Sequence, residues 1–189
     1  MKRYSIVSYV EWDIKQQIRN LQKEFIEITW ARKCYDRWLP HISIGDGVEL
    51  KENEVDIFLN KLKKFTSTKK KLLIDLEGFG GKTNVNAWKW VVATSFALWI
   101  NVILSQSLQL LVDQIQEEVV ESHQLWYKIP KPYNPHVTLA HRDLTQEWYN
   151  AGLEYLKNKN FSKQIQIDNI AIVEKLENDN IEYKRFEIY

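Results

Sequence analysis

Two pentapeptides, Pro40-His41-Ile42-Ser43-Ile44 and Pro135-His136-Val137-Thr138-Leu139, repeat one pattern of proline, histidine, apolar residue, hydroxyl and apolar residue. A strand sends residues i and i+2 to one face and i+1 and i+3 to the other, so this alternation reads as a strand with one wet and one buried side. His41 and Ser43 are expected to share a face above Ile42 and Ile44, and His136 and Thr138 to do the same above Val137 and Leu139. Upstream, Tyr4 to Val10 is rich in β-formers, and Ile14, Ile18, Leu21, Phe25 and Ile28 recur at helical spacing. An aromatic and basic segment, Trp30 to Leu39, then leads into the His41 strand, which Gly45-Asp46-Gly47 is expected to close with a turn.

Further along, Val55, Phe58, Leu59, Leu62 and Phe65 predict a second amphipathic helix and Lys71 to Leu76 a strand. The glycines Gly78, Gly80 and Gly81 read as a turn before a mostly buried strand over Trp88 to Leu98. Ile103, Leu104, Leu108, Leu111, Ile115 and Val119 predict one face of a helix, followed by a Pro-rich loop from Ser122 to Pro135. After the second motif come a helix over Thr145 to Lys157 and a hairpin of Ile165 to Val173 with Tyr183 to Tyr189 around Glu177 to Asn180. The order β-α-β-α-β-β-α-β-α-β-β has crossovers too irregular for a doubly wound parallel sheet. It points to an α+β fold with helices packed on antiparallel or mixed sheets. No low-complexity linker divides the chain, so one domain over 1–189 is expected.

With 189 residues and 44% hydrophobic positions, one domain can bury roughly 70% of its unfolded surface, which excludes disorder. A formal charge of +1 leaves no global field for a nonspecific nucleic-acid coat or a polybasic membrane anchor, so any basic patch is local. The uncharged stretch Val91 to Val112 is interrupted by Thr94, Ser95, Asn101, Ser105, Gln106, Ser107 and Gln109 and reads as strand plus helix, not a membrane span. The N-terminal apolar run is too short for a signal-peptide core, and the single cysteine, Cys34, suits a reducing compartment. A cytoplasmic monomer is the expectation.

The doubled motif carries the chemistry. One His-x-Ser on a strand is ordinarily an edge-strand histidine, but the chain has only four histidines and two of them sit in matching pentapeptides. Two imidazoles, each with a hydroxyl one strand-step away, supply the parts for phosphoryl transfer without a metal. One neutral ring takes the nucleophile's proton, one protonated ring gives a proton to the leaving oxygen, and the hydroxyls hold the non-bridging oxygens. Metal ligation has little support, because Cys34 lacks a partner at useful spacing and no HxxE or CxxC occurs. Gly81-Lys82-Thr83 ends like a phosphate loop, yet position 76, where its first glycine belongs, is leucine. Continuing the strand parity puts Arg142 on the face of Thr138, where it can clamp a phosphate, and His141 on the opposite face. Rings and cations precede both motifs: Trp30, Arg32, Lys33, Tyr35, Arg37 and Trp38 before the first, Trp126, Tyr127, Lys128, Lys131 and Tyr133 before the second. Most such rings cover a core; Tyr133 is the preferred base-stacking candidate.

In the tetrapeptides HISI and HVTL, about a hundred residues apart, the sequence resembles the two-histidine (2H) phosphoesterases, which include the bacterial 2'-5' RNA ligase-like proteins and cyclic nucleotide phosphodiesterases. The resemblance implies a bilobal α+β fold with two pseudo-symmetric sheets, helices outside and a central cleft. It also implies no metal or other cofactor, and action on 2',3'-cyclic phosphates or 2'-5' phosphodiesters of a nucleotide or RNA end. By position it makes His41 and His136 the general acid/base pair and Ser43 and Thr138 the phosphate-oxygen ligands. Two alternatives stand beside this: a non-catalytic RNA or nucleotide-binding module, and a phosphodiesterase that degrades cyclic oligonucleotide signals.

Overall fold

The computed structural model describes the backbone of residues 1–88, 91–141, 143–176 and 180–189, and the side chains of all of these except 84–88, 91–95, 180 and 181. The chain runs β1 (Lys2–Tyr9), α1 (Trp12–Thr29), a short α2 (Lys33–Arg37), β2 (His41–Leu50), α3 (Glu52–Thr66), β3 (Leu72–Trp88) and β4 (Val91–Val102). It continues with α4 (Gln106–Ile115) and its π-helical extension Gln116–Val120, β5 (Gln124–Tyr127), β6 (His136–His141), α5 (Gln146–Lys157), β7 (Ser162–Ile167), β8 (Asn169–Lys175) and β9 (Asn180–Glu187). The strands lie in the order β7-β3-β4-β6-β2-β1-β8-β9, with β5 beside β2. Every described pairing is antiparallel. The expected two halves are present within one nine-stranded sheet, β7-β3-β4-β6 on one side and β2-β1-β8-β9 with β5 on the other, stitched at the centre by the Ile42–Val137 pair of β2 and β6.

The two faces of this curled sheet differ. Ile6, Ile42, Ile44, Leu98, Ile100, Val137, Leu139, Ile170 and Ile172 alternate onto the face that the helices cover and form the main core. Val7, Tyr9, Ala171 and Val173 point the other way and make a small second cluster with Trp38. Helices cross between halves: α1 and α5 pack together over β6 and β4, whereas α4 packs on β2. Gly152 makes the α1–α5 approach possible, since a Cβ there would strike the Phe25 ring. Ser105 and Thr145 cap α4 and α5 by accepting the N–H groups of Leu108 and Trp148 at 3.1 and 3.2 Å, each cap worth about 1 kcal/mol.

Several local expectations are corrected. Gly78, Gly80 and Gly81 do not make a turn, because β3 runs through them to Trp88; Gly80 and Gly81 leave room for the Trp99, Leu98 and Tyr149 side chains. Gly45-Asp46-Gly47 likewise lies within β2, where Gly47 makes way for the Trp126 indole. Ile103 and Leu104 fall outside α4 because Ser105 caps it, and both stay exposed. The single strand over Ile165 to Val173 is two, β7 on β3 and β8 on β1. The chain breaks at Asp168, whose carbonyl accepts Ile188 N–H, and Asn169 bonds both backbone groups of Tyr9. The Pro-rich loop holds β5, and the aromatic segment holds α2. Glu177 at the expected final turn lies outside the described residues.

Candidate active site

Pairing of Ile42 with Val137 in antiparallel register sets His41 across from Thr138 and Ser43 across from His136. Neighbouring strands extend this into two rows on the face opposite the main core. One row runs Asn101, His136, Ser43, Val7 and the other Trp99, Thr138, His41, Tyr9. The two histidines are diagonal neighbours, a relation that separates residues by about 7–8 Å and their Cβ atoms by somewhat less. Each hydroxyl faces the histidine of the other motif.

The prolines of the two motifs do matching work. Their carbonyls accept Val10 N–H and Val102 N–H, both at 3.2 Å, and anchor the entrances of β2 and β6. A residue before proline is kept extended, and the carbonyls of Leu39 and Asn134, just before the prolines, meet the Nδ1 atoms of His41 and His136 at 2.7 and 2.8 Å. A carbonyl only accepts, so Nδ1 of each ring carries the proton and Nε2 is left for chemistry. Desolvation, together with the nearby His136 ring, holds His41 down to about 4, against the lift from its bond to Leu39. His136 is also lowered by burial, offset by Asn134. Both rings are half-buried at the surface of the sheet.

A cavity of about 240 Å³ opens over His41, Ser43 and Thr138. Lys33 and Arg37 of α2 and Lys175 of β8 bring cations to its walls, and among the described residues no aspartate or glutamate lines it. The Lys175 amine also sits 4.3 Å from the centre of the Trp126 ring. Two opposite charges brace the ends of α2. Asp143 accepts the N–H groups of Arg32 and Lys33 at 2.7 and 2.8 Å, and the Arg19 guanidinium donates to the carbonyls of Tyr35 and Trp38. Those signs suit the two poles of a helix.

Sequence parity fails after Thr138. Leu98 pairs with Ala140 but Trp99 pairs with Thr138, so Leu139 is an extra residue and β6 bulges. His141, expected on the opposite face, therefore lines the cavity. Buried Gln22 of α1 answers the bulge by donating to the Thr138 and Leu139 carbonyls at 3.2 and 3.5 Å. A lone glutamine among the apolar positions of α1 was the available signal. Tyr133 packs against the main core and donates its hydroxyl to the Ser43 carbonyl at 2.7 Å, and it is not among the residues lining the cavity. Trp38, which does line it, is stacked on His41 with ring centres 4.8 Å apart. Arg142 lies outside the described residues. Among the described residues no three His, Cys, Asp or Glu groups gather as a metal site, and no helix is long and apolar enough to cross a membrane.

A curled antiparallel sheet with two mirrored His-x-Ser/Thr strands on its open face defines the two-histidine phosphoesterase class. The chain belongs to the 2'-5' RNA ligase superfamily, whose sequence profile matches residues 13–179. That superfamily comprises phosphoesterases and ligases acting on nucleotides or RNA. Comparison with curated protein sequences finds no match. Among solved structures, the fold is similar to E. coli LigT complexed with 3'-AMP, with a TM-score of 0.66 and 12% identity over 99% of this chain and 98% of that one. TT0787 of Thermus thermophilus gives 0.63 and 14% over 98% and 97%. Kluyveromyces marxianus Usb1 gives 0.52 and 12% over 95% and 96%.

Proposed function

We propose that this protein is a metal-independent phosphodiesterase that opens a 2',3'-cyclic phosphate or cuts a 2'-5' linkage on a nucleotide or RNA end. The observation that carries the reading is the crossed arrangement of the motifs, each imidazole facing the other motif's hydroxyl. A phosphate set between the rows meets one Nε2 on either side. One neutral histidine takes a proton from the attacking water as its oxygen bonds to phosphorus. The other, as imidazolium, protonates the 2' or 3' oxygen as its P–O bond breaks. Ser43 and Thr138 donate to the non-bridging oxygens, and Lys33, Arg37 and Lys175 offset the charge of the substrate. In reverse, with a ribose hydroxyl as nucleophile, the same steps give ligation. All four groups come from one chain, so a monomer suffices. The complexes of LigT with 3'-AMP, ATP and NADP+ and of Usb1 with uridine monophosphate support a nucleotide ligand.

The test is hydrolysis of 2',3'-cyclic nucleotides and 2'-5' oligoadenylates in EDTA. Turnover is expected to persist under chelation, and His41→Ala or His136→Ala to lower kcat by at least about 10²-fold. Loss of activity with EDTA, or full activity in either variant, overturns the mechanism. Saturable nucleotide binding without turnover, surviving His136→Ala, would instead favour a binding module.

A further inference from the structure

Each histidine of the pair has a tryptophan laid on it. Trp38 is stacked on His41 with ring centres 4.8 Å apart and planes 28° apart, and Trp99 lies on His136 at 4.9 Å and 34°. These indoles do not come from equivalent places: Trp38 follows the C-terminus of α2, whereas Trp99 stands on β4 opposite Thr138. The strand repeat that doubles the histidines therefore does not account for the doubled stack. We infer that Trp38 and Trp99 are positioning residues of the pair, each fixing one imidazole plane and favouring its protonated form through the indole face. The inference rests on the acid–base roles proposed above.

Both indoles are held from behind. Trp38 donates its backbone N–H to the Cys34 carbonyl at 3.1 Å, receives the Arg19 guanidinium on its own carbonyl, and packs against Val7, Tyr9, Ala171 and Val173. Trp99 donates Nε1–H to Asn101 Oδ1 at 2.9 Å and spreads over Gly80, where any side chain would run into the indole and into Asn101. Gly80 is thus the reason the ring can lie across β3 and reach His136.

The charges around the site give the stacks a purpose. Facing His41 are Tyr9 from β1, Lys33 and Arg37 from α2, His136 and His141 from β6 and Lys175 from β8. His136 has the neutral Asn101 and Ser43 across from it on its two flanks, and His41 diagonally. Every one of these groups is neutral or cationic, and among the described residues no carboxylate lines the cavity beside His41. An imidazolium here is stabilised by the Nδ1–H bond to a carbonyl and by whatever faces its ring. A cation within about 6 Å of an indole centre is attracted by the electron-rich face, and imidazolium at the distances above is well inside that reach.

Fluorinated tryptophan, introduced at position 38 or 99 alone, keeps the shape and burial of the ring while draining electron density from its face. Imidazole NMR titration of the full chain is the readout, with the pH profile of kcat/KM beside it. Full fluorination at 99 is expected to lower the pKa of His136 by about half to one and a half pH units and to leave His41 nearly unmoved; fluorination at 38 does the converse. In the rate profile one substitution moves the acidic limb and the other the alkaline limb, which tells the base from the acid. Trp38→Phe and Trp99→Phe should retain part of the effect that Trp38→Leu and Trp99→Leu abolish. Unchanged histidine titrations, equal shifts of both rings from either position, or an upward shift overturn the inference. A wild-type protein with no turnover on any phosphodiester overturns the proposed function instead, and the titration still decides this one.

Discussion

His41 in the folded protein resists a proton until about pH 4, because it is desolvated and sits beside His136. In the unfolded chain an ordinary histidine accepts one near pH 6.5. Above pH 7 both states are neutral at this site and it adds nothing to the pH dependence of stability. As pH falls below 6.5 the unfolded chain gains a proton that the folded state refuses, so stability is lost, and the loss levels off only once the folded ring titrates. At pH 5 the gap amounts to about 1.5 pH units, or about 2 kcal/mol, and the open side of the cavity reduces it to between about 1 and 2 kcal/mol. Urea unfolding of wild type and His41→Gln at pH 8 and pH 5 measures it directly. Wild type should lose about 1–2 kcal/mol more than the variant over that interval. Parallel losses would mean that His41 takes its proton as readily folded as unfolded, and the account of a dehydrated ring at the proposed site would be wrong. Bound phosphate, which favours the imidazolium, should shrink the difference.

Two further substitutions test the scaffold around the pair. Gln22→Leu leaves the Thr138 and Leu139 carbonyls of the β6 bulge without their buried donor and should cost about 1–3 kcal/mol, or roughly 2–12 °C in melting temperature; an unchanged Tm would show that the bulge holds its own shape. Asp143→Asn removes the charge from the carboxylate that accepts two N–H groups at the start of α2. Because α2 delivers Lys33 and Arg37 to the cavity wall, KM for a cyclic nucleotide should rise several-fold with kcat little changed. A fall in kcat at constant KM would tie Asp143 to the chemistry instead.

Much of this was legible in order along the chain. The amphipathic spacing of Ile18, Leu21 and Phe25, and the alternation in both pentapeptides, gave the helices and central strands because burial on one face imposes its period directly. Glycine misleads in both places where it clusters. At Gly45-Asp46-Gly47 and Gly78 to Gly81 the missing side chains admit Trp126, Trp99, Leu98 and Tyr149 from other strands and helices, and sequence-local turn preferences carry no trace of that. The parity that placed His141 away from the site failed for a similar reason. A bulge is one residue of slip, and what stabilises it here is Gln22, more than a hundred positions away.

By itself, the sequence determined which atoms are available for chemistry: two imidazoles and two hydroxyls, each pair on one side of its own strand. Tertiary structure decided that the strands are neighbours, that their register crosses each histidine with the other motif's hydroxyl, and that Nε2 is the nitrogen left free. It also decided which rings and cations surround them, since α2, β4 and β8 reach the site from separate parts of the chain. A strand's own alternation is fixed by backbone geometry within a few residues. Pairing, register and desolvation depend on contacts between distant segments, and those exist only once the whole sheet has closed.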